Sequence, residues 1–125
     1  MSLAGFVLHD DKGASDSDAF YFAANAVIAA GEYLGLCCKS SNGPQFKVGG
    51  DDTITLIDNT GTVLSTSGIL LDEGALDKTW ARKADGSFVY TTSPTFGAAN
   101  VFDPGAVVIN EVADKGSTNT CEGED

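Results

Sequence analysis

Positive charge is scarce in this sequence: 7 Lys and Arg face 18 Asp and Glu over 125 residues, a formal net charge of -11 at pH 7. A nucleic-acid binder working through a basic patch is excluded, because phosphate neutralisation needs clustered Lys and Arg. Anionic membrane surfaces are disfavoured on the same ground. No apolar run approaches the roughly 18 residues of a membrane-spanning helix, so a soluble chain is expected, without membrane insertion. There are 3 cysteines, Cys37, Cys38 and Cys121, too few for a disulfide-dense scaffold and without paired metal spacing. The single histidine, His9, is followed by a turn-like Asp10-Asp11, and no Gly-x-Ser-x-Gly elbow accompanies it. A surface His9 is therefore expected, and neither Cys37 nor Cys38 carries a nucleophile signature. No phosphate loop is present: Gly49-Gly50-Asp51-Asp52 places acids where phosphates would sit, and a structural turn fits these residues better. Enzymatic activity is not expected.

What is abundant is apolar and glycine content. Hydrophobic residues make up 42% of the chain, enough for one buried core and unlike the composition of a disordered segment. The 15 glycines are spread along the chain and separate short apolar or alternating runs. That rhythm predicts an all-β domain with strands at 5–9, 19–23, 33–38, 53–58, 63–68, 88–91 and 107–112. Asp58-Asn59-Thr60-Gly61 and Ala84-Asp85-Gly86-Ser87 read as hairpin turns whose glycine takes a positive φ, which implies antiparallel pairing. A helix over 23–33 competes, but Gly31 and the β-branched Val27-Ile28 favour a loop leading into a strand. Seven strands without a long helix argue for two packed antiparallel sheets. The predicted core is Phe6, Phe20, Phe22, Leu34, Leu36, Ile54, Leu56, Val63, Trp80, Phe88, Val108 and Val112. Period-2 alternation puts Cys38 on the same face as Leu34 and Leu36, and Cys37 outward.

The loop between the first two strands carries Asp10, Asp11, Asp16 and Asp18 with Ser15 and Ser17 between them. Hard cations such as Ca²⁺ take oxygens from carboxylates, hydroxyls and carbonyls, so this loop is a candidate Ca²⁺ site. It does not match an EF-hand loop, and a solvated acidic loop is the preferred reading. No other cofactor is implied.

Several stretches, taken in order, resemble the lamin tail domain family. They are Leu3-Ala4-Gly5-Phe6-Val7-Leu8, Ala29-Ala30-Gly31-Glu32-Tyr33-Leu34 and Gly49-Gly50-Asp51-Asp52-Thr53-Ile54-Thr55-Leu56. Further on come Lys78-Thr79-Trp80-Ala81-Arg82 with Asp85-Gly86, then Ser93-Pro94-Thr95-Phe96-Gly97-Ala98-Ala99-Asn100, and last Val108-Ile109-Asn110-Glu111-Val112. Phe96 stands where the family pattern has a proline. The resemblance implies an immunoglobulin-like antiparallel β-sandwich over residues 1–113 followed by a polar acidic tail, 114–125. Trp80 and Arg82 fall at a family motif just before the Asp85-Gly86 turn; a Trp80 packed across the sandwich is expected, with an exposed recognition aromatic as the alternative.

The order of the motifs departs from the family. Ile-Asn-Glu-Val opens the family domain, yet here it comes last, and the strand that follows it in the family is missing. The simplest account is one repeat of a tandem array, read out of phase. Strand 107–112 either folds back, for which linker 101–106 is long enough, or completes a neighbouring chain by strand exchange. Relative to the family, Cys121 falls between the first and second strands. A disulfide from Cys121 to Cys38 or Cys37 is one reading and free thiols the other.

The function this implies is a non-enzymatic structural or interaction module, a spacer or adhesion repeat whose partner is protein, self-association through an open sheet edge included. The alternatives are a Ca²⁺- or ligand-binding module using loop 10–18, and an accessory domain of a secreted hydrolase. An extracellular or cell-surface location is expected. A nuclear lamin role is disfavoured because no coiled-coil heptads accompany the domain.

Overall fold

A computed structural model describes residues 1–70 and 78–102. Among these residues the protein is all-β and contains no helix. Six strands form: β1 (Val7–His9), β2 (Phe20–Tyr21), β3 (Thr53–Ile57), β4 (Val63–Ile69), β5 (Thr79–Arg82) and β6 (Phe88–Thr91). They make a four-stranded sheet in the order β2-β1-β3-β4 and a two-stranded sheet β5-β6, antiparallel throughout.

Two hairpins follow the turn chemistry read from the sequence. In the β3–β4 turn, Asp58 Oδ1 accepts the Thr60 and Thr62 N–H groups at 2.8 and 2.9 Å, and Gly61 N–H reaches the Asp58 carbonyl at 3.1 Å. Gly61 sits at φ 86, a region an L side chain resists. The β5–β6 turn repeats the device: Asp85 Oδ1 accepts Ser87 N–H at 2.9 Å, Gly86 N–H reaches the Lys83 carbonyl at 3.0 Å, and Gly86 has φ 88. In both, one residue in the left-handed region turns the chain while an aspartate takes up backbone N–H groups that would otherwise face solvent.

The N-terminal arm extends the β1–β2 ladder past its strands. Ser2 bridges Val27, Leu3 N–H donates to the Ala26 carbonyl at 2.8 Å, and Phe22 N–H donates to the Phe6 carbonyl at 2.9 Å. Residues 23–33 are thus a loop strapped to the arm, as the residue types favoured.

The two sheets are joined through Trp80. Its Nε1–H donates to the Ser67 carbonyl on β4 at 2.9 Å, and its ring meets Tyr90 edge-on at 4.8 Å and stacks with Phe88 at 6.1 Å. Ser67 lies where β4 bulges against β3: Ile54 N–H bonds the Ser67 hydroxyl instead of a backbone carbonyl, at 2.9 Å. The bulge places Gly68 at φ 63 and leaves the Ser67 carbonyl available to Trp80. Asn100 Nδ2 donates to the Arg82 carbonyl at 3.0 Å and Thr91 Oγ1 to the Val101 carbonyl at 2.8 Å, which lays the segment after β6 along the small sheet.

Several expectations are corrected. Residues 33–38 form no strand. Their alternation has no sheet to join, because the following turn closes on itself: the Ser40 hydroxyl and Ser40 N–H both bond the Cys37 carbonyl, and Lys39 N–H bonds the Pro44 carbonyl. Leu34 and Cys38, expected in the core, are consequently exposed. Val63 is exposed because β4 is the edge strand of its sheet. Phe6, Phe20, Phe22, Leu36, Ile54, Leu56, Trp80 and Phe88 are half-buried, and the buried apolar side chains among the described residues include Leu3, Val7, Pro44, Phe46 and Ala81. β5, unforeseen as a strand, is fixed by its pairing with β6. The strand expected at 107–112, with Val108 and Val112, lies outside the described residues.

Candidate functional site

Three places carry the side chains singled out from the sequence. The first is the acidic loop after β1. Asp10 is buried, at 4% exposure, and Asp11 is exposed. Successive turns fold the loop, with Gly13, Asp16 and Ala19 N–H groups bonding the Asp10, Gly13 and Asp16 carbonyls, and the Tyr21 hydroxyl donating to the Ala14 carbonyl at 2.7 Å. The Asp10 carboxylate accepts Lys12 N–H at 3.1 Å and pairs with the Lys12 ammonium at 3.5 Å, while Asp18 stands 3.9 Å from the same ammonium. Asp16 accepts the Asp18 N–H at 2.9 Å. The negative charge of Asp10 first, with Asp16 and Asp18 behind it, holds the Lys12 ammonium above its usual range. The loop therefore supplies its own cation. Among the described residues no three His, Cys, Asp or Glu side chains converge as a metal site.

His9 is half-buried rather than on the surface. Its Nδ1 lies 2.7 Å from the Asp10 carbonyl oxygen, an acceptor only, so the proton is on Nδ1. Among the described residues no serine or cysteine is hydrogen-bonded to that ring. Asp51 and Asp52 serve a turn, as expected: Asp51 has φ 66, Asp52 Oδ2 accepts Gly49 N–H at 2.6 Å, and both residues bond Leu70 through their backbones.

The second place is the segment 33–50. Cys37 and Cys38 are both exposed free thiols. Lys39 holds φ 60, and Gln45 Nε2 donates to the Ser40 and Gly43 carbonyls at 2.7 and 3.0 Å. Pro44 and Phe46 anchor the segment beneath the surface, Phe46 at 1% exposure. Gly43 is packed so closely on the Cys37 carbonyl that a Cβ would not fit. A single aromatic and a proline inside a polar, Gly/Ser-rich stretch were the available sequence signal for this anchor. Gly35 lies under the Phe96 ring, which is itself 72% exposed. Cys121 lies outside the described residues.

The third place is β4. Among the described residues it pairs with β3 on one side and with no strand on the other, and none of its residues is charged. Val63, Leu64 and Ile69 are exposed. Toward its end, Trp80 takes the Ser67 carbonyl and Thr66 Oγ1 takes the Gly68 N–H at 3.3 Å. Among the described residues, none covers the stretch before Ser67 in this way.

Among the described residues no helix is long and apolar enough to cross a membrane. Compared with protein-family models, with curated proteins and with solved structures, the chain finds no significant match.

Proposed function

We propose that this chain is a non-enzymatic structural module, a spacer or adhesion repeat, that works by protein–protein contact along an open sheet edge. The finer fold within this reading is a lamin-tail-like immunoglobulin sandwich taken from a tandem array, at or outside the cell surface. The observation that carries it is β4. Edge strands of monomeric proteins are usually blunted by lysine, proline or inward charges, because exposed backbone N–H and C=O groups template pairing with another chain. β4 is seven residues long, uncharged and apolar at Val63, Leu64 and Ile69 in a chain of net charge -11. Among the described residues, the bulge and the Trp80 indole cover its last part and nothing covers the rest. An acidic surface around a neutral edge keeps the module soluble while leaving that edge able to pair.

The test is light scattering over a concentration series from micromolar to millimolar, on the native chain and on Leu64→Lys. Under reducing conditions the native chain is expected to rise above 12.9 kDa and the lysine variant to stay there. A native mass fixed at 12.9 kDa throughout sinks the reading.

A further inference from the structure

We infer that segment 33–50 is a docking face for the acidic segment Cys121–Asp125 of a second copy of the chain, closed by a disulfide from Cys121 to the Cys37–Cys38 pair. The inference rests on the reading of the chain as a module that contacts its own copies, but it uses a different face from β4.

Charge singles this face out. From Tyr33 to Gly50 the chain has no Asp or Glu and two lysines, Lys39 and Lys47, although 18 acids are distributed over the rest. Both lysines are exposed, and among the described residues neither makes an ion pair. The face thus carries two exposed cations and no carboxylate of its own, bordered by Glu32 on one side and by Asp51-Asp52 on the other, with Asp52 Oδ2 accepting Gly49 N–H at 2.6 Å. Apolar side chains are also open on it: Tyr33 and Leu34 are exposed, and the exposed Phe96 ring covers Gly35. Exposed apolar groups rimmed by charge mark contact surfaces.

The complement lies in the same sequence. Cys121-Glu122-Gly123-Glu124-Asp125 sets a thiol next to three acids, and Cys37-Cys38-Lys39 sets two thiols next to a cation. Attraction between the acids and Lys39 brings thiol to thiol. Cys37 and Cys38 do not compete by bonding each other, because adjacent Cα atoms are about 3.8 Å apart, short of the usual disulfide range of about 4.4–6.8 Å. With glutathione disulfide as oxidant, the Cys121 thiolate first forms a mixed disulfide and releases one glutathione. The Cys37 or Cys38 thiolate then attacks the Cys121 sulfur and releases the second glutathione. Two protein thiols lose two protons and two electrons, and one glutathione disulfide becomes two glutathiones. A contact between unlike surfaces repeats head to tail, so the product is an open chain of modules.

Two variants that cannot crosslink internally test it: Cys121→Ser, which keeps Cys37 and Cys38, and the double variant Cys37→Ser with Cys38→Ser, which keeps Cys121. Both replaced thiols of the second variant are exposed, and circular dichroism checks that each variant retains its strands. The two are mixed in a glutathione redox buffer, with and without the added pair Lys39→Glu and Lys47→Glu, and at low salt or in about 1 M salt, where the Debye length is about 3 Å. The expected result is a covalent species of twice 12.9 kDa on non-reducing gels, joined through Cys121, with a yield that falls about tenfold in the charge-reversed variant and in high salt. Absence of that species, or a yield indifferent to both charge reversal and salt, overturns the inference. Adding Leu64→Lys to both partners separates this result from the β4 reading: crosslinking through segment 33–50 persists there even when association through β4 is lost.

Discussion

Trp80→Phe isolates one hydrogen bond between the two sheets. Phenylalanine keeps a ring against Tyr90 and Phe88, whose centroids lie 4.8 and 6.1 Å from that of Trp80, but it cannot donate to the Ser67 carbonyl, now 2.9 Å from Nε1. The net loss of a neutral hydrogen bond is about 1 kcal/mol, and a carbonyl left dry adds about 1 kcal/mol more. Because Trp80 is half-buried, water reaches part of the site, which bounds the cost at about 1–2 kcal/mol. Unfolding entropy of about 2.1 cal/mol/K per residue converts this, for a chain of 125 residues, into a fall in Tm of about 4–8 °C. The assay is thermal unfolding followed by far-UV circular dichroism, since the variant removes the chain's single tryptophan and with it the natural fluorescence probe. Trp80→Ala, which also empties the space between Phe88 and Tyr90, is expected to fall further, by the cost of the lost ring contacts. An unchanged Tm in Trp80→Phe refutes the claim that this indole ties β5 to the bulge of β4.

Gly43→Ala pushes a methyl into the Cys37 carbonyl and the Ser40 hydroxyl, so the turn must shift. A loss of about 1–3 kcal/mol is expected, comparable to overpacking a core, read as a drop of about 4–12 °C in Tm. At Asp58 the Thr60 hydroxyl, with the Thr62, Thr60 and Gly61 N–H groups, holds the carboxyl below its usual range. Its contribution is present above the ordinary carboxylate value of 3.8 and disappears as pH falls through the lower folded value, so an acid titration of Tm is expected to be shallower below about pH 4 in Asp58→Asn. Identical slopes in the two proteins would contradict that reading. Because Lys12 already supplies the charge between Asp10 and Asp18, millimolar Ca²⁺ is expected to leave the native Tm unchanged and to raise it only in Lys12→Met. A rise in the native chain would show that Ca²⁺ displaces the ammonium.

What the sequence disclosed is local chemistry. An aspartate close to a positive-φ glycine determines a hairpin within four or five residues, and both turns, at Asp58–Gly61 and Ala84–Ser87, were legible for that reason. Strand character at β3 followed from the alternation of Thr53, Thr55 and Ile57 against Ile54 and Leu56. What was hidden depends on partners distant in sequence. The alternation of Leu34, Leu36 and Cys38 is as strand-like as that of β3, yet among the described residues no strand pairs with it, and Phe96 covers Gly35 instead. Val63 looks like a core residue until the sheet order makes β4 an edge. Phe46 is the reverse case: an aromatic in a polar turn region becomes the most deeply buried large side chain, because its loop folds over it. In the acidic loop the sequence displayed the carboxylates, but only the geometry showed Lys12 between two of them.

The central claim is that copies of the module meet along β4, and amide hydrogen exchange of the native chain at micromolar and millimolar concentration tests it most directly. The account predicts that the amides of Val63–Thr66 gain protection as concentration rises, while those of Gly61 and Gly86 at the hairpin tips do not. Exchange along β4 that is the same at both concentrations would contradict it.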